Sequence, residues 1–329
     1  MVFKKGGTKI RKKLIIILTF LLISCFTITT SAEETTNVVC SNSILADFTS
    51  NILKDNVTIE YIMPPGVCPA FYDATPSDVS KIISADIVIS LGSPLKEPWL
   101  AGLLTYNSDC KIIECKDLGE WNFPSGAKKY IEHLTEEIST IFPEKNESIY
   151  MNSQLYLTKM EEKGQELLDK IKANNSINKQ VICMSWQKEF LEWLDLNVTY
   201  SYGPPQGLSV QGELDVINAA SNNNIYAVID NLQSGTDFGA RVASESGASH
   251  VIFTNFPGAI PGTDTYLEMI TYNTEQLIEG IKAYEYKQGD ISELQDQITG
   301  LELQRNALII LAIIFVIFTI TFYIMYKKK

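Results

Sequence analysis

The chain has 329 residues, of which 45% are hydrophobic and 20% are charged. Its formal net charge is −12, and removing the six basic residues before Leu14 and the last three lysines leaves about −21 on the remainder. So acidic a surface excludes nucleic acid as a partner and suits a domain that faces solvent outside the cell.

Residues 1–32 have the layout of a secretory signal peptide. Basic residues precede the apolar run Leu14–Phe26, and the small residues Thr30-Ser31-Ala32 form a cleavage site. Leu22-Ile23-Ser24-Cys25 also fits a rough lipobox. Simple cleavage, lipidation and retention as an anchor all remain open.

The first half of the exported region, residues 33–143, alternates short apolar runs with amphipathic ones. That alternation predicts a parallel sheet covered by helices. The predicted strands lie near 37–40, 58–63, 86–90 and 111–115, and the predicted helices near 43–53, 76–84 and 124–142. Thr75-Pro76-Ser77-Asp78 indicates a helix start, with a capping residue followed by proline.

Residues 144–175 read as one long connecting helix with apolar residues at helical spacing. A second α/β half follows at 176–288, with strands predicted near 180–184, 199–202, 225–229 and 250–253. Its helices are predicted near 186–194, 209–221, 237–246 and 264–284. The predicted fold class is therefore α/β: two lobes of parallel β-sheet flanked by helices and linked by one long helix.

The C-terminal region predicts a membrane anchor. A charged helical stalk at 289–306 leads into the apolar run 307–325, which is long enough to cross a bilayer, and the tail 326–329 carries three lysines. Basic residues flanking a span favour the cytoplasmic side. We expect a single-pass cell-membrane protein with an extracellular domain and a cytoplasmic C-terminus.

Three segments carry a family resemblance. The loop PPGVCPAFYDATPSD at 64–78 resembles the PGxDPHxYEPTPSD loop of the cluster A-I solute-binding proteins, which hand zinc or manganese to ABC importers. VVCSNSILADF at 38–48 and GTDTYLEMITYNTEQL at 262–277 resemble the first strand and helix and the last helix of that family. The likeness covers roughly 37–284 and implies two α/β lobes with limited motion between them.

The resemblance fails at the metal ligands. The positions at which it implies donors carry unsuitable side chains: Ala70, Gly119, Met184 and Asn255. Zinc and manganese sites need imidazole or carboxylate groups. We expect His133 and His250 to be surface or core residues, so a hard-metal site of the family's kind is predicted to be absent.

Sulfur ligands offer a replacement. Cys40, Cys115 and Cys183 lie at or beside predicted strand ends, Cys68 lies in the loop at 64–78, and Met184 adds a thioether. Converging thiolates would favour Cu(I) or zinc. Packing, disulfide pairing and a redox thiol are the alternatives.

Aromatic residues near the same loops suggest a different ligand. Tyr72, Trp99, Trp121 and Trp186, together with Asn231, Gln233 and Asn255, would suit a small organic or chelated ligand, although core packing also explains the aromatic residues.

The sequence favours a binding protein over an enzyme, because it has no phosphate loop, nucleophile elbow or HExxH motif. By resemblance, the chain is a membrane-anchored solute-binding protein that captures a metal ion or metal chelate. Its partners would be a separate ABC permease and ATPase. The alternative is a degenerate receptor acting as a surface sensor or adhesin without metal transport.

Overall fold

A computed structural model describes residues 35–54, 57–93, 96–221 and 224–327. The predicted signal peptide, the lipobox and the last two lysines lie outside the described residues.

The N-terminal lobe contains a four-stranded sheet whose strands are all parallel, in the order β2-β1-β3-β4. Its strands are β1 (Thr36–Cys40), β2 (Val57–Tyr61), β3 (Ile87–Ser90) and β4 (Lys111–Glu114). Its helices are α1 (Ser43–Ile52), α2 (Pro76–Ile83), α3 (Leu100–Leu104) and α4 (Pro124–Ile141), with a 3₁₀ turn at Pro69–Phe71. The short helix α3 was not predicted from the sequence.

The predicted start of α2 is confirmed in atomic detail. Thr75 is the N-cap and Pro76 occupies the first turn. Asp78 Oδ2 accepts hydrogen bonds from the Thr75 amide and hydroxyl, each at 2.7 Å. This capping box fixes where the loop at 64–78 ends and the helix begins.

One long helix, α5 (Asn146–Ala173), follows a 3₁₀ turn at Pro143–Lys145 and joins the two lobes. The C-terminal sheet is also all parallel and repeats the same topology, β6-β5-β7-β8. Its strands are β5 (Gln180–Met184), β6 (Asn197–Tyr202), β7 (Ala227–Asn231) and β8 (Ser249–Phe253). Helices α6 (Lys188–Trp193), α7 (Val210–Ser221) and α8 (Asp237–Ser246) cover it. Short 3₁₀ turns lie at Ser185–Gln187, Pro205–Gly207 and Leu232–Ser234.

The last helix, α9 (Tyr266–Lys327), runs for 62 residues. The helix predicted for 264–284 does not end there but continues through the stalk into the apolar run. Among the described residues, α9 is the one helix long and apolar enough to cross a membrane, and its apolar window has a mean hydropathy of 2.9 with none of it buried against the protein.

Both lobes share one hydrophobic core. Val38 and Cys40 of β1 and Val181 and Cys183 of β5 all belong to it, whereas the intervening side chains pack on the opposite faces of the sheets. That alternation follows from the two-residue period of a strand. The hydrophobic core is therefore continuous across the two lobes.

Candidate functional site

A cavity of about 170 Å³ lies between the two lobes. Its walls come from the segments that follow the strands: Cys68 and Ala70 after β2, Trp121 after β4, Trp186 after β5 and Asn255 after β8. The carboxyl ends of parallel strands are where open α/β sheets bind ligands. The topology therefore places this cavity at the expected ligand site.

Hydrogen bonds join the N-terminal and C-terminal lobes across the cleft. Trp121 Nε1 donates to the backbone carbonyl of Asn255 at 2.9 Å, and Asn122 Nδ2 donates to that of Trp186 at 2.9 Å. Two further hydrogen bonds join the lobes. Ser43 Oγ donates to the Pro257 carbonyl, and Gln233 Nε2 donates to the Pro65 carbonyl, each at 2.8 Å. Backbone carbonyls of each lobe are thus hydrogen-bonded by side chains of the other.

Residues 38–280 match the family model described as zinc-uptake complex component A, periplasmic. The chain belongs to this family. The family resemblance read from the three sequence segments is confirmed, and so is the fold class.

Two curated relatives show how far the similarity extends. The manganese-binding lipoprotein MntA of Halalkalibacterium halodurans is 22% identical over 284 residues, which are 77% of this chain and 91% of the relative. The iron ABC transporter substrate-binding lipoprotein MtsA of Streptococcus pyogenes is 23% identical over 300 residues, 80% of this chain and 94% of the relative. Both are binding proteins by name.

Solved structures agree on the fold. The manganese-bound periplasmic metal-binding protein of Candidatus Liberibacter asiaticus superposes with a TM-score of 0.65 at 20% identity, covering 75% of this chain and 99% of that one. A crystal structure of ZnuA gives a TM-score of 0.64 at 17% identity, with the same coverage.

Of the four positions that the family resemblance assigns to metal ligands, two line the cavity. Ala70 and Asn255 face the cavity, but Gly119 does not line it, and its carbonyl accepts a hydrogen bond from the Tyr130 hydroxyl at 2.6 Å. Gly119 also has φ of +87°, a conformation that disfavours any larger residue. Nowhere in the described chain do three or more His, Cys, Asp or Glu side chains converge as metal ligands would.

The predicted sulfur site is also not assembled, which corrects that expectation. Cys40, Cys115 and Cys183 are buried in the shared core, whereas Cys68 is partly exposed in the cleft. Burial raises the pKa of the Cys40 thiol to about 12 and raises the pKa of the Cys115 and Cys183 thiols further still. All five described cysteines are free thiols. The three buried ones pack in the hydrophobic core that both lobes share.

The sequence predicts Met184 beside the cleft as a soft ligand, but the residue is fully buried in a cluster that includes Phe238 and Val242 and is separate from the shared core. It alternates with Cys183, which faces the shared core. One strand therefore directs these two sulfur residues to opposite sides of the sheet, and they cannot share a ligand.

The aromatic residues divide into two groups. Trp121 and Trp186 line the cavity, as expected for a ligand wall. Tyr72 and Trp99 instead form hydrogen bonds that stabilise the loop at 64–78. The Tyr72 hydroxyl donates to Asp78 Oδ2 at 2.6 Å, and Trp99 Nε1 donates to the Pro69 carbonyl at 3.0 Å. Tyr72 is thus a supporting residue and not a cavity residue.

Neither histidine enters the cleft. His133 Nε2 lies 3.0 Å from the Glu114 carbonyl oxygen near the surface of the N-terminal lobe. His250 Nε2 lies 2.8 Å from Asp230 Oδ2, and the Tyr202 hydroxyl donates to the other oxygen of that buried carboxylate at 2.7 Å. The second histidine ties β8 to β7, so its role is structural.

The sequence reading missed two charged residues in the cavity wall, Lys96 and Glu120, and two rings, Phe71 and Phe256. Lys96 Nζ lies 3.9 Å from Glu120 Oε1 and 5.5 Å from the centre of the Trp121 ring. Burial raises the pKa of Glu120, and the lysine partly offsets that rise. The adjacency of Glu120 to Trp121 was the available signal.

Proposed function

We propose that this protein is a membrane-tethered solute-binding receptor of the metal-importer class whose cleft captures a small ligand without coordinating a bare ion through its own side chains. A metal chelate or another small organic molecule would satisfy this description. Family membership and the position of the cavity between the lobes support the receptor role.

The composition of the cavity carries the proposal. Where the family places metal donors, Ala70 offers a methyl group and Asn255 a neutral amide. Manganese and zinc in proteins require carboxylate, imidazole or thiolate ligands. Trp121 and Trp186 instead present apolar surface, which a ligand with a carbon framework can cover.

The anchor is part of the same proposal. Helix α9 passes from the C-terminal lobe through the stalk into an apolar stretch without interruption. Lysines follow that stretch, so the proposed orientation puts the lobes outside the cell and the tail in the cytoplasm. A permease and ATPase on separate chains would receive the ligand.

The test uses the full-length protein in lipid nanodiscs. Unfolding temperatures are measured with Mn²⁺, Zn²⁺ and Cu(I), with Mg²⁺ as the control ion. Small molecules and metals released by denaturation are identified by mass spectrometry. We expect no ion to raise the unfolding temperature more than Mg²⁺ does, and a small organic molecule to be released. Stoichiometric, micromolar binding of bare Mn²⁺, Zn²⁺ or Cu(I) would contradict the proposal.

A second candidate is a surface sensor or adhesin that has kept the fold and lost transport. The unbroken path of α9 favours it, because one rigid element joins the ligand-binding lobe to the membrane. Affinity purification from native membranes separates the two. A co-purifying permease and ATPase supports the receptor, and their absence in the presence of bound ligand supports the sensor.

A further inference from the structure

Three amide side chains line the cavity, and their hydrogen bonds are unequally satisfied. Gln233 is fully used: its Nε2 donates to the Pro65 carbonyl at 2.8 Å and to Thr254 Oγ1 at 2.9 Å, and its Oε1 accepts from the Asn255 amide at 3.2 Å. Gln233 therefore holds neighbouring segments together and has no unpaired amide group to offer a ligand. The other two, Asn231 and Asn255, are not fully paired.

Asn231 ends strand β7 and is only 1% exposed. Its Oδ1 accepts from Ser234 Oγ at 3.2 Å, but its Nδ2 has no partner among the described residues. Burying an unpaired polar group of this kind is unfavourable. A side chain at the wall of a cavity can recover that energy from a ligand.

Asn255 has a similar arrangement. Its Oδ1 accepts from Gln187 Nε2 at 2.7 Å, which fixes the orientation of the amide. Its Nδ2 donates to none of the described residues, and the side chain lines the cavity. Two cavity-lining residues of the C-terminal lobe, Asn231 and Asn255, therefore carry amide N–H groups that donate to none of the described residues.

The rest of the wall is apolar or neutral. Trp121, Trp186 and Phe256 supply rings, and Ala70 and Pro204 supply aliphatic surface. The cavity of about 170 Å³ exceeds by far the roughly 10–15 Å³ that one water needs. It has room for a molecule with several carbon atoms.

The two charged wall residues compensate each other. Lys96 Nζ and Glu120 Oε1 lie 3.9 Å apart, so the two charges offset each other and the cavity wall offers a ligand no net counter-charge. An ionised ligand would lose water without gaining an opposite charge, which is strongly unfavourable beside apolar walls. The cavity therefore selects against both anions and cations.

We propose that the cleft recognises a small neutral molecule with a flat apolar body and a carbonyl-type acceptor, the amides of Asn231 and Asn255 donating to that acceptor while the body lies against Trp121 and Trp186. This inference rests on the proposed receptor function and specifies its ligand class. A neutral chelate with exposed carbonyl oxygens belongs to that class.

The experiment uses four probes that share one phenyl ring: benzamide, benzoate, benzylamine and toluene. Their dissociation constants are measured by ligand-observed NMR with the full-length protein in nanodiscs, and binding to empty nanodiscs is subtracted. We expect benzamide to bind at least tenfold more tightly than the two ions and more tightly than toluene. Equal or tighter binding of benzoate, benzylamine or toluene overturns the inference.

Asn231→Leu keeps an apolar wall but removes the donor. We expect the affinity for benzamide to fall toward that for toluene, because one of the two proposed donors is lost, and thermal unfolding reports whether the variant is folded. Asn231→Ala carries the same expectation if the leucine variant unfolds. An unchanged benzamide affinity in a folded variant overturns the role of Asn231.

Failure of the inference and failure of the receptor function give different results. If no probe binds but a co-purified small molecule is released on denaturation, the ligand class is wrong and the receptor function stands. If a bare metal ion binds stoichiometrically, the proposed function itself fails, whatever the probes show.

Discussion

The indole nitrogen of Trp121 donates to the backbone carbonyl of Asn255 at 2.9 Å and thereby joins the two lobes across the cavity. Trp121 also packs edge-on against Tyr130 and lies 5.6 Å, centre to centre, from the Phe256 ring. The Trp121 side chain thus lines the cavity, packs in the hydrophobic core and forms a hydrogen bond to the other lobe.

Trp121→Phe should lower the free energy of unfolding by about 1–3 kcal/mol, because it removes a buried hydrogen bond and part of a packed ring. Trp193→Phe is the matched control, since Trp193 stacks on Phe190 within the C-terminal lobe and does not bridge the cleft. Thermal unfolding of both variants in nanodiscs measures the difference. Equal losses would show that the interlobe bond contributes nothing.

Asp47 should make stability depend on pH. Its Oδ2 accepts from the Tyr156 hydroxyl at 2.9 Å and from the Tyr266 amide at 3.3 Å, so it holds α1, α5 and the start of α9 together. Burial raises the pKa of Asp47 from its ordinary 3.8 to about 6, and Glu268 adds to that rise. The folded protein therefore retains a proton that the unfolded chain has released, and stability falls as the pH rises from about 4 to about 6, by about 2–3 kcal/mol.

Asp47→Asn should abolish most of that pH dependence, because the amide oxygen can accept both hydrogen bonds without ionising. Unfolding free energies of the variant and the parent at pH 4.5 and 7.5 test this. Asp47→Ala is the control and should be less stable at both values, since it removes the acceptor. If the unfolding free energy of Asp47→Asn changed with pH as much as that of the parent protein, other groups would be responsible for the pH dependence.

Gly239→Ala should be strongly destabilising. A methyl group at this position in α8 would overlap the carboxylate of Asp230, which is fully buried and bonded to Tyr202 and His250. Displacing such a group should cost about 3–5 kcal/mol. Gly212→Ala in α7 is the control: its nearest neighbour would be 3.5 Å away, and helix propensity predicts a gain of about 0.5–1 kcal/mol.

Restoring family ligands should restore only weak metal binding. Ala70→His with Asn255→Asp places two donors in one cavity, and we expect Zn²⁺ to raise the unfolding temperature of this double variant but not of the parent. Adding Gly119→His should lower stability by about 1–2 kcal/mol, because φ of +87° suits glycine. Tight Zn²⁺ binding by the parent protein would refute the premise.

Thiol labelling should separate the cysteines by burial. Cys68 and Cys110 are partly exposed and should react with iodoacetamide in the native protein. Cys40, Cys115 and Cys183 should react at least about 100-fold more slowly, since their thiolates are disfavoured by burial and need unfolding to form. Mass spectrometry of labelled peptides gives the rates. If Cys40, Cys115 and Cys183 were labelled rapidly in the native protein, their thiols would have to be exposed to solvent, contrary to the structure.

The sequence determined most of the secondary structure because this depends on local patterns, and segments resembling a known family indicated the class of protein. The periodicity of apolar residues located all eight strands in the described part of the chain, and Thr75-Pro76-Ser77-Asp78 placed a helix start to the residue. The methyl group of Ala70 and the neutral amide of Asn255 are likewise read directly from the sequence. A missing side chain is a property of the sequence alone.

Only the tertiary structure decided which side chains meet. Strand alternation sends Cys183 to the shared core and Met184 to a separate cluster, and burial places Cys40 with the former, so the sulfur residues cannot form one site. The unpaired amide of Asn231 is equally invisible in sequence, because it depends on which atoms fail to reach it in three dimensions. Burial and hydrogen-bond pairing are relations between distant segments, and packing alone sets them.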